Sequence, residues 1–398
     1  MLFKNIKASY YIFVKIMRVA MVRSSLNRGS GQAVHISEIA KRLIERGYHI
    51  ELFCRESFVD FQDLKINLLR DPLKGLSFFR HFTLASSIAI STKGFDIVHT
   101  HYHPGVFGGI FSHALNGIAH VFTFHGFAPI TTWTNVRQMF KMLDHRIGTF
   151  IALRFGVDHI ITVSRYLKKV LIEKYFVSPD MVSVCYNGVD LKRFNINVKG
   201  DYFRERYRLK DRKVVLFFGR LVPYKGAQYI IRAAPLIVEK VPDCHFIVAG
   251  ASRHDRLNID RILSVSKIRE RFTFTGYVPD EEVPKLYASC DVFTFPSLWE
   301  GFGLPLAEAQ AVGKPVVAFN TCAMPEVVEN GRSGILVSPK DYRKLAEAIV
   351  YLLKNPDVAH EMGENGYERV KRMFTWDLVA SKVEEAYKKA ISYHSVRC

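Results

Sequence analysis

The chain has 398 residues, 48% of them apolar, and carries a formal net charge of +18 at pH 7. That length exceeds what one hydrophobic core usually supports, so two domains are expected, and the absence of any run of about 18 uncharged apolar residues excludes a spanning helix. With 25 basic and 13 acidic residues among positions 1–198 the excess leans to the first half, yet no zinc-finger spacing or aromatic RNA-binding motif accompanies it, so phosphorylated molecules or an anionic membrane surface are favoured over nucleic acid.

The N-terminal "MLFKNIKASYYIFVKIMRVAMV" breaks its apolar run at Lys15 and Arg18 and has no small-residue cleavage site. It does not read as a signal peptide, and a cytoplasmic location follows as the expectation, with peripheral contact at the inner membrane face. Residues 1–16 form an extension in which Lys4, Lys7 and Lys15 are interleaved with Tyr10, Tyr11 and Phe13. This is either a surface-seeking basic aromatic segment or an unstructured start. The six cysteines (Cys54, Cys185, Cys244, Cys290, Cys322, Cys398) are scattered without a CxxC pair, so reduced core residues are expected rather than a zinc site or disulfide frame.

From "RVAMV" onward, β-branched and aromatic runs alternate with amphipathic stretches, the pattern of parallel sheets with helical crossovers. The strand candidates of the first half are "RVAMV", "HIELFC", "DIVHTH", "HVFTFH", "DHIITV" and "MVSVCY". After the first of them, "NRGSGQ" places Gly29 and Gly31 in a tight strand-to-helix turn that permits close backbone approach to a ligand. It is not a GxGxxG fingerprint, because position 34 is Val, and a dehydrogenase reading is weakened accordingly. The following "QAVHISEIAKRLIERG" carries Val34, Ile39, Leu43 and Ile44 as an approximate helical stripe closed by Gly47. In "HTHYH", His99, His101 and His103 alternate onto one strand face. They could ligate a metal, but no acidic or cysteine ligand accompanies them, so an acceptor-cleft or structural role is preferred.

A polar, turn-rich segment, "NGVDLKRFNINVKGD", separates this half from a second series: "KVVLFFG", "HFIVAG", "RFTFTG", "DVFTFP", "KPVVAF" and "GILVSP". In "GRLVPYKG", Gly219 and Gly226 flank Arg220 and Lys225 at a strand-to-helix junction. That cation pair suits a diphosphate, with the planar Arg fork complementing the movable Lys charge. In "FTFPSLWEGFGLPLAEAQA", Glu300 sits on the loop and Glu308 about one turn into a helix starting near Leu304 or Pro305. The free amides of Phe302, Gly303 and Leu304 form an anion-friendly group there. The last stretch, "TWDLVASKVEEAYKKAISYH", has Leu378, Val379, Val383, Ala386 and Tyr387 as an apolar stripe, with no strand after it.

With these motifs in this order, the chain resembles the retaining glycosyltransferases of family 4, also called group 1. The resemblance covers nearly everything from Met17 and rests on the E-x7-E motif (Glu300, Glu308) and the Arg and Lys of "GRLVPYKG". It implies a GT-B fold: two α/β, Rossmann-like, doubly wound domains facing across a cleft. Residues 17–198 would form the acceptor-side domain and 199–374 the nucleotide-sugar-binding domain, with 375–398 a helix crossing back to the first.

The resemblance also implies roles. Glu300 would contact the transferred sugar, Glu308 the nucleotide ribose, and Arg220 with Lys225 the diphosphate. His125, at the end of "FTFHGF", would lie by the donor sugar, and Val278 would border the nucleobase. Gly29, Gly31, Gly219, Phe302, Gly303 and Leu304 complete the donor-binding set. Glu326 matches the family's "PEVV" segment, while "NTCAM" replaces its usual paired glycines, which bears on the local loop shape. No DxD triplet occurs, in keeping with a reaction that needs no metal or other cofactor beyond a nucleotide sugar as donor. The resemblance implies front-face transfer with retention to a hydroxyl of a lipid-linked or glycan acceptor. The alternatives are a GT-B nucleotide-sugar epimerase, which would bind no acceptor, and a non-catalytic basic nucleic-acid-binding protein.

Overall fold

The computed structural model describes residues 16–23, 25–26, 31–57, 64–69, 77–101, 103, 105–132, 135–251 and 268–397. Gly29, Cys398 and the basic aromatic residues of the extension lie outside the described residues. The strands of the first half are β1 (Arg18–Val22), β2 (Ser25–Leu26), β3 (His49–Cys54), β4 (Glu56–Ser57), β5 (Lys65–Leu68), β6 (Ile97–His101), β7 (Ala119–Phe124), β8 (His159–Thr162) and β9 (Val182–Val184). Those of the second half are β10 (Lys213–Phe218), β11 (Cys244–Ala249), β12 (Phe272–Gly276), β13 (Val292–Phe295), β14 (Val316–Phe319) and β15 (Gly334–Val337).

They build a seven-stranded sheet in the order β5-β3-β1-β6-β7-β8-β9 and a six-stranded sheet in the order β12-β11-β10-β13-β14-β15. Neighbouring strands run parallel throughout, for example Val19 opposite Ile97 and Val215 opposite Val292. Helices therefore cover both faces, and the central strands are buried along their whole length, β6 and β7 in every residue. This is the α/β, two-domain architecture expected of the sequence. Strand β5 was not expected: at the sheet edge, its residues are only partly buried or exposed and give no apolar signal.

Each sheet reverses its strand order once, between β1 and β6 in the first and between β10 and β13 in the second. Open α/β sheets leave a crevice at such a reversal, outside the carboxyl ends of the strands. Arg23 and His101 end or follow one pair of strands. Gly219 and Pro296 follow the other.

The helix Gly31–Glu45 packs through Ala33, His35, Ile36, Ser37, Ile39, Ala40 and Leu43. The predicted stripe is thus rotated: Ile44 faces solvent and His35 is fully buried. Gly47 ends the helix at φ 89°, a conformation that favours glycine. The helix Trp376–Arg397 lies on the first sheet and against the helix Gly31–Glu45. Tyr387, fully buried, meets His99 Nδ1 through its hydroxyl at 2.8 Å. Of its predicted stripe, Val379, Val383, Ala386 and Tyr387 are buried, whereas Leu378 points outward.

The two crossings between the halves run side by side. Val189 pairs with Thr375 in a parallel bridge, and the Val189 N–H donates to Phe374 O at 2.7 Å. Among the described residues, Cys54, Cys185, Cys244, Cys290 and Cys322 are all free thiols.

Candidate active site

The second half supplies a cationic loop and a carboxylate loop that are locked together by backbone. After β10, Gly219 leads into Arg220, and the 3-10 turn Pro223–Lys225 ends at Gly226 with φ 88°. A Cβ on Gly226 would collide with the Pro296 carbonyl, so the residue must be glycine for the loops to touch. The carbonyl of Tyr224 accepts the Leu298 N–H at 2.7 Å and the Ser297 hydroxyl at 3.1 Å. These bonds carry Glu300 to Lys225, whose Nζ donates to Glu300 Oε1 at 2.6 Å with both side chains mostly buried. The Arg220 guanidinium donates to the Tyr224 hydroxyl.

Beyond Glu300, Gly303 adopts φ 103° and ψ 50° and opens the helix Leu304–Ala311, with Pro305 in its first turn and no capping side chain. The helix start agrees with the sequence reading. The Phe302 ring turns inward against Tyr186 and Phe374, leaving its main chain at the loop. On the helix, Glu308 Oε2 accepts the Tyr287 hydroxyl at 2.8 Å. Burial pushes the Glu308 carboxyl up to about 7 against the lowering pull of Tyr287 and Arg193, while Asp280 adds to the rise. Val278 is buried two residues beyond β12.

The first half closes on this loop from the other side. A Cβ on Gly301 would meet the His125 carbonyl oxygen, and one on Gly31 would come within 3.9 Å of Leu304 Cδ2. Ala128, Val222 and Tyr224 form a small apolar cluster with Trp299 packed on it. Glu326 fastens the two halves. Its carboxylate accepts the N–H groups of Arg165 and Tyr166 at 2.8 and 2.7 Å, the first turn of the helix Arg165–Tyr175, and the Tyr186 hydroxyl at 3.1 Å. An anion at that end of a helix is favoured by its free amides and dipole.

His125 does not stand alone. The His35 and His101 rings lie 4.9 and 5.8 Å from it, centre to centre, and the three offer ring nitrogens within 4.8 Å of one another. Burial is the main cause lowering all three pKa values, to about 4 for His35, so the cluster is neutral near pH 7. His35 Nδ1 meets Asn187 Oδ1 at 2.8 Å. Among the described residues, His35 Nε2, both nitrogens of His101 and His125 Nε2 have no hydrogen-bond partner. Neutral imidazoles with open nitrogens can bind sugar hydroxyls, and the three could also close on a soft divalent ion, although the group contains no carboxylate.

The "HTHYH" histidines do not share one site. His99 joins Tyr387 and Thr123, the latter at 2.7 Å, His101 faces His35 and His125, and His103 packs against His145 and Phe107. Sequence reasoning missed His35 and His101 as companions of His125. The one available signal was a histidine within an otherwise apolar helical face.

The structure thus brings together Arg220, Lys225, Glu300 and the Phe302–Leu304 turn, and faces them with His125 and Gly31. Comparison with known proteins fits this geometry. The profile described as Glycosyl transferases group 1 matches residues 199–369, and that described as Glycosyltransferase Family 4 matches residues 29–193. An uncharacterized glycosyltransferase of Methanocaldococcus jannaschii is 32% identical over 58% of this chain and 60% of its own length. The D-inositol 3-phosphate glycosyltransferase of Corynebacterium diphtheriae is 28% identical over 96% of this chain and 97% of its own. Among solved structures, Anabaena HepE in complex with UDP-glucose superposes with a TM-score of 0.78 at 20% identity, covering 93% of this chain and 98% of that one. With both halves matched in their family order, the chain belongs to the group 1, family 4 glycosyltransferases of GT-B fold.

Proposed function

We propose that the protein transfers a hexosyl group from a nucleoside diphosphate sugar to an acceptor hydroxyl with retention of anomeric configuration, in the synthesis of a glycolipid, polysaccharide or other glycoconjugate. The observation that carries the reading is the Lys225–Glu300 pair at the mouth of the Gly303 turn. It presents a cation for a diphosphate and a carboxylate for sugar hydroxyls within one contact. In this reading the donor diphosphate draws Lys225 from Glu300 and is held with it by Arg220 and the Phe302–Leu304 amides. The Glu300 carboxylate, freed of its ion pair, accepts donor-sugar hydroxyls while neutral His125 holds the sugar from the other domain. Glu308 accepts the ribose hydroxyls, and the chain beside Val278 borders the base.

As the glycosidic bond lengthens, negative charge grows on the departing phosphate, where Arg220 and Lys225 stand. Fixed charges aimed at that atom stabilise the transition state more than the ground state. The acceptor hydroxyl enters on the same face and loses its proton to the departing phosphate oxygen, which is how configuration is retained without an enzyme nucleophile. Because two protein cations supply the countercharge, the reaction is expected to need no divalent metal.

The test is a thermal-shift panel of UDP-, GDP- and ADP-sugars in EDTA. A ligand at about 100 times its dissociation constant stabilises a protein by about 2.7 kcal/mol. The stabilising donor is then incubated with lipid and glycan acceptors, and the anomer formed is read by NMR. Conversion of the free sugar nucleotide to an epimer with no acceptor product would replace transfer by epimerisation. Stabilisation only with added metal would remove the metal-free mechanism.

A further inference from the structure

The helix Val136–Ala152 is turned inside out. Its buried residues are Met142, His145, Gly148, Thr149 and Ala152, a face with one long apolar side chain. At 100° per residue the opposite arc, about 100° wide, collects Val136, Phe140, Leu143, Ile147, Phe150 and Ile151. All six are exposed, Phe140 by 67% and Ile147 by 51%. Helices on a water-facing surface normally reverse this distribution.

Packing fixes the orientation. A Cβ on Gly148 would run into the His103 ring, so the inner face fits only as it lies. Arg146 donates to the carbonyls of Phe127 and Ala128 at 3.3 and 3.0 Å, tying the helix to the loop that follows His125. Beyond the helix end, Phe155 and Phe176 are also 61% and 76% exposed, and the Phe150 ring lies 6.3 Å from that of Tyr175, the residue before Phe176. Arg154 lies 3.6 Å above the Phe150 ring and reaches the Tyr175 carbonyl, bringing the end of the helix Arg165–Tyr175 into the same patch. Arg137 and Asp144 stand at one edge of the strip and Arg146 at the other, Arg154 covers its end, and Lys174 lies beside Tyr175; Asp144 is the one acid on the helix itself.

We propose that this face docks on an anionic phospholipid bilayer, with the helix lying in the plane of the interface. An apolar arc of this width on a helix about 25 Å long, with Arg137 at its edge, Arg154 at its end and Lys174 beyond, matches the chemistry of an interfacial helix, whose apolar side sinks to the acyl boundary while the cations meet the headgroups. The net charge of +18 adds a long-range attraction of the same sign. A second copy of the chain is the poorer occupant, because a two-fold pairing would set these cations against one another. Docking does not depend on the transferase reading. If both hold, the loop Phe127–Ala128 places the mouth of the cleft at the membrane, and the acceptor is a lipid-borne one taken without leaving the bilayer.

The experiment is flotation of the full chain with vesicles of phosphatidylglycerol and phosphatidylcholine, or phosphatidylcholine alone, at about 0.15 M salt. The wild type is expected to float with the anionic vesicles only, and Phe140→Asp/Ile147→Asp to lose that binding by at least about tenfold, with an unchanged circular dichroism spectrum. As a second variant, Ile147→Trp should show a blue-shifted emission quenched by brominated lipid. Equal flotation of wild type and double variant, or an emission blind to vesicles, would overturn the proposal. So would a wild-type dimer in sedimentation equilibrium that the double variant dissolves, since a second copy would then cover the face. A thermal shift with UDP, run in parallel on the wild type, reports on the transferase reading separately.

Discussion

Glu308 should make donor affinity depend on pH in a window where carboxylates are ordinarily silent. Burial sets its carboxyl near 7, and only the ionised form can accept both ribose hydroxyls. At pH 6 about a tenth of the protein would carry the charge and at pH 8 about nine tenths, so the donor dissociation constant should fall about tenfold over that span, equivalent to about 1.4 kcal/mol. His35, His101 and His125 are held neutral by burial and do not contribute to the slope. A sugar diphosphate diester has no proton of its own titrating there, so isothermal titration with the stabilising sugar nucleotide at pH 6, 7 and 8 isolates the protein group. Glu308→Gln should bind weakly and flatly. Stability has the opposite sign: the folded carboxyl keeps a proton that the unfolded one releases above about 4.5, so unfolding free energy should decline as pH rises towards about 7 and Glu308→Gln should remove that decline. A wild-type affinity independent of pH, or a slope retained in Glu308→Gln, would refute the assignment.

Arg220→Ala should depress kcat/KM by about 100-fold or more with little effect on stability, because its side chain is exposed and its role is at the developing phosphate charge. Lys225→Ala should do the same and also lower the melting temperature, since it strands the largely buried Glu300 carboxylate; Glu300→Gln in that background should restore stability but not turnover, read by calorimetry and initial rates. Glu326→Ala removes the carboxylate from the first turn of the helix Arg165–Tyr175 and should loosen the closed arrangement, measured as a larger radius of gyration by small-angle scattering and a higher donor KM. Asp158, buried beside His113 with Nδ1 at 3.2 Å, has its pKa held below the usual value by that hydrogen bond and the His120 N–H against the cost of burial. The stability it adds should be present above its ordinary pKa, disappear as pH falls through the lowered one, and be absent in Asp158→Asn.

The central strands and their division into two sheets were legible because both faces of those strands are covered, which leaves continuous apolar runs such as "KVVLFF" and "KPVVAF". The loop that opens the helix Leu304–Ala311 was legible for a similar reason, since Gly303 and Pro305 mark a helix start by backbone geometry alone. The Lys225–Glu300 contact was not. It joins positions 75 apart and depends on Gly226 admitting the Pro296 carbonyl, a constraint that appears only when the two loops meet. His35 was hidden because a polar ring within an apolar helical face reads as an interruption of the stripe rather than as part of it. The helix Val136–Ala152 inverts the rule outright: a reading that equates an apolar stripe with the core would assign its outward face to the inside.

The bridge between Val189 and Thr375 has a consequence for biosynthesis. The second sheet and its helices are inserted into the first unit, between β9 and the helix Trp376–Arg397. A nascent chain emerges with β1 to β9 in hand but without Trp376, Val383 and Tyr387, which belong to the core shared with Val19, Ile39 and Leu52. Domains usually mature in the order in which the ribosome delivers them. Here the later one is complete first, while the earlier one, its strands already made, waits, with one partner of His99 still missing, until the last helix arrives to seal it. Loss of that helix would leave the amino-terminal unit open, however well the second sheet had formed.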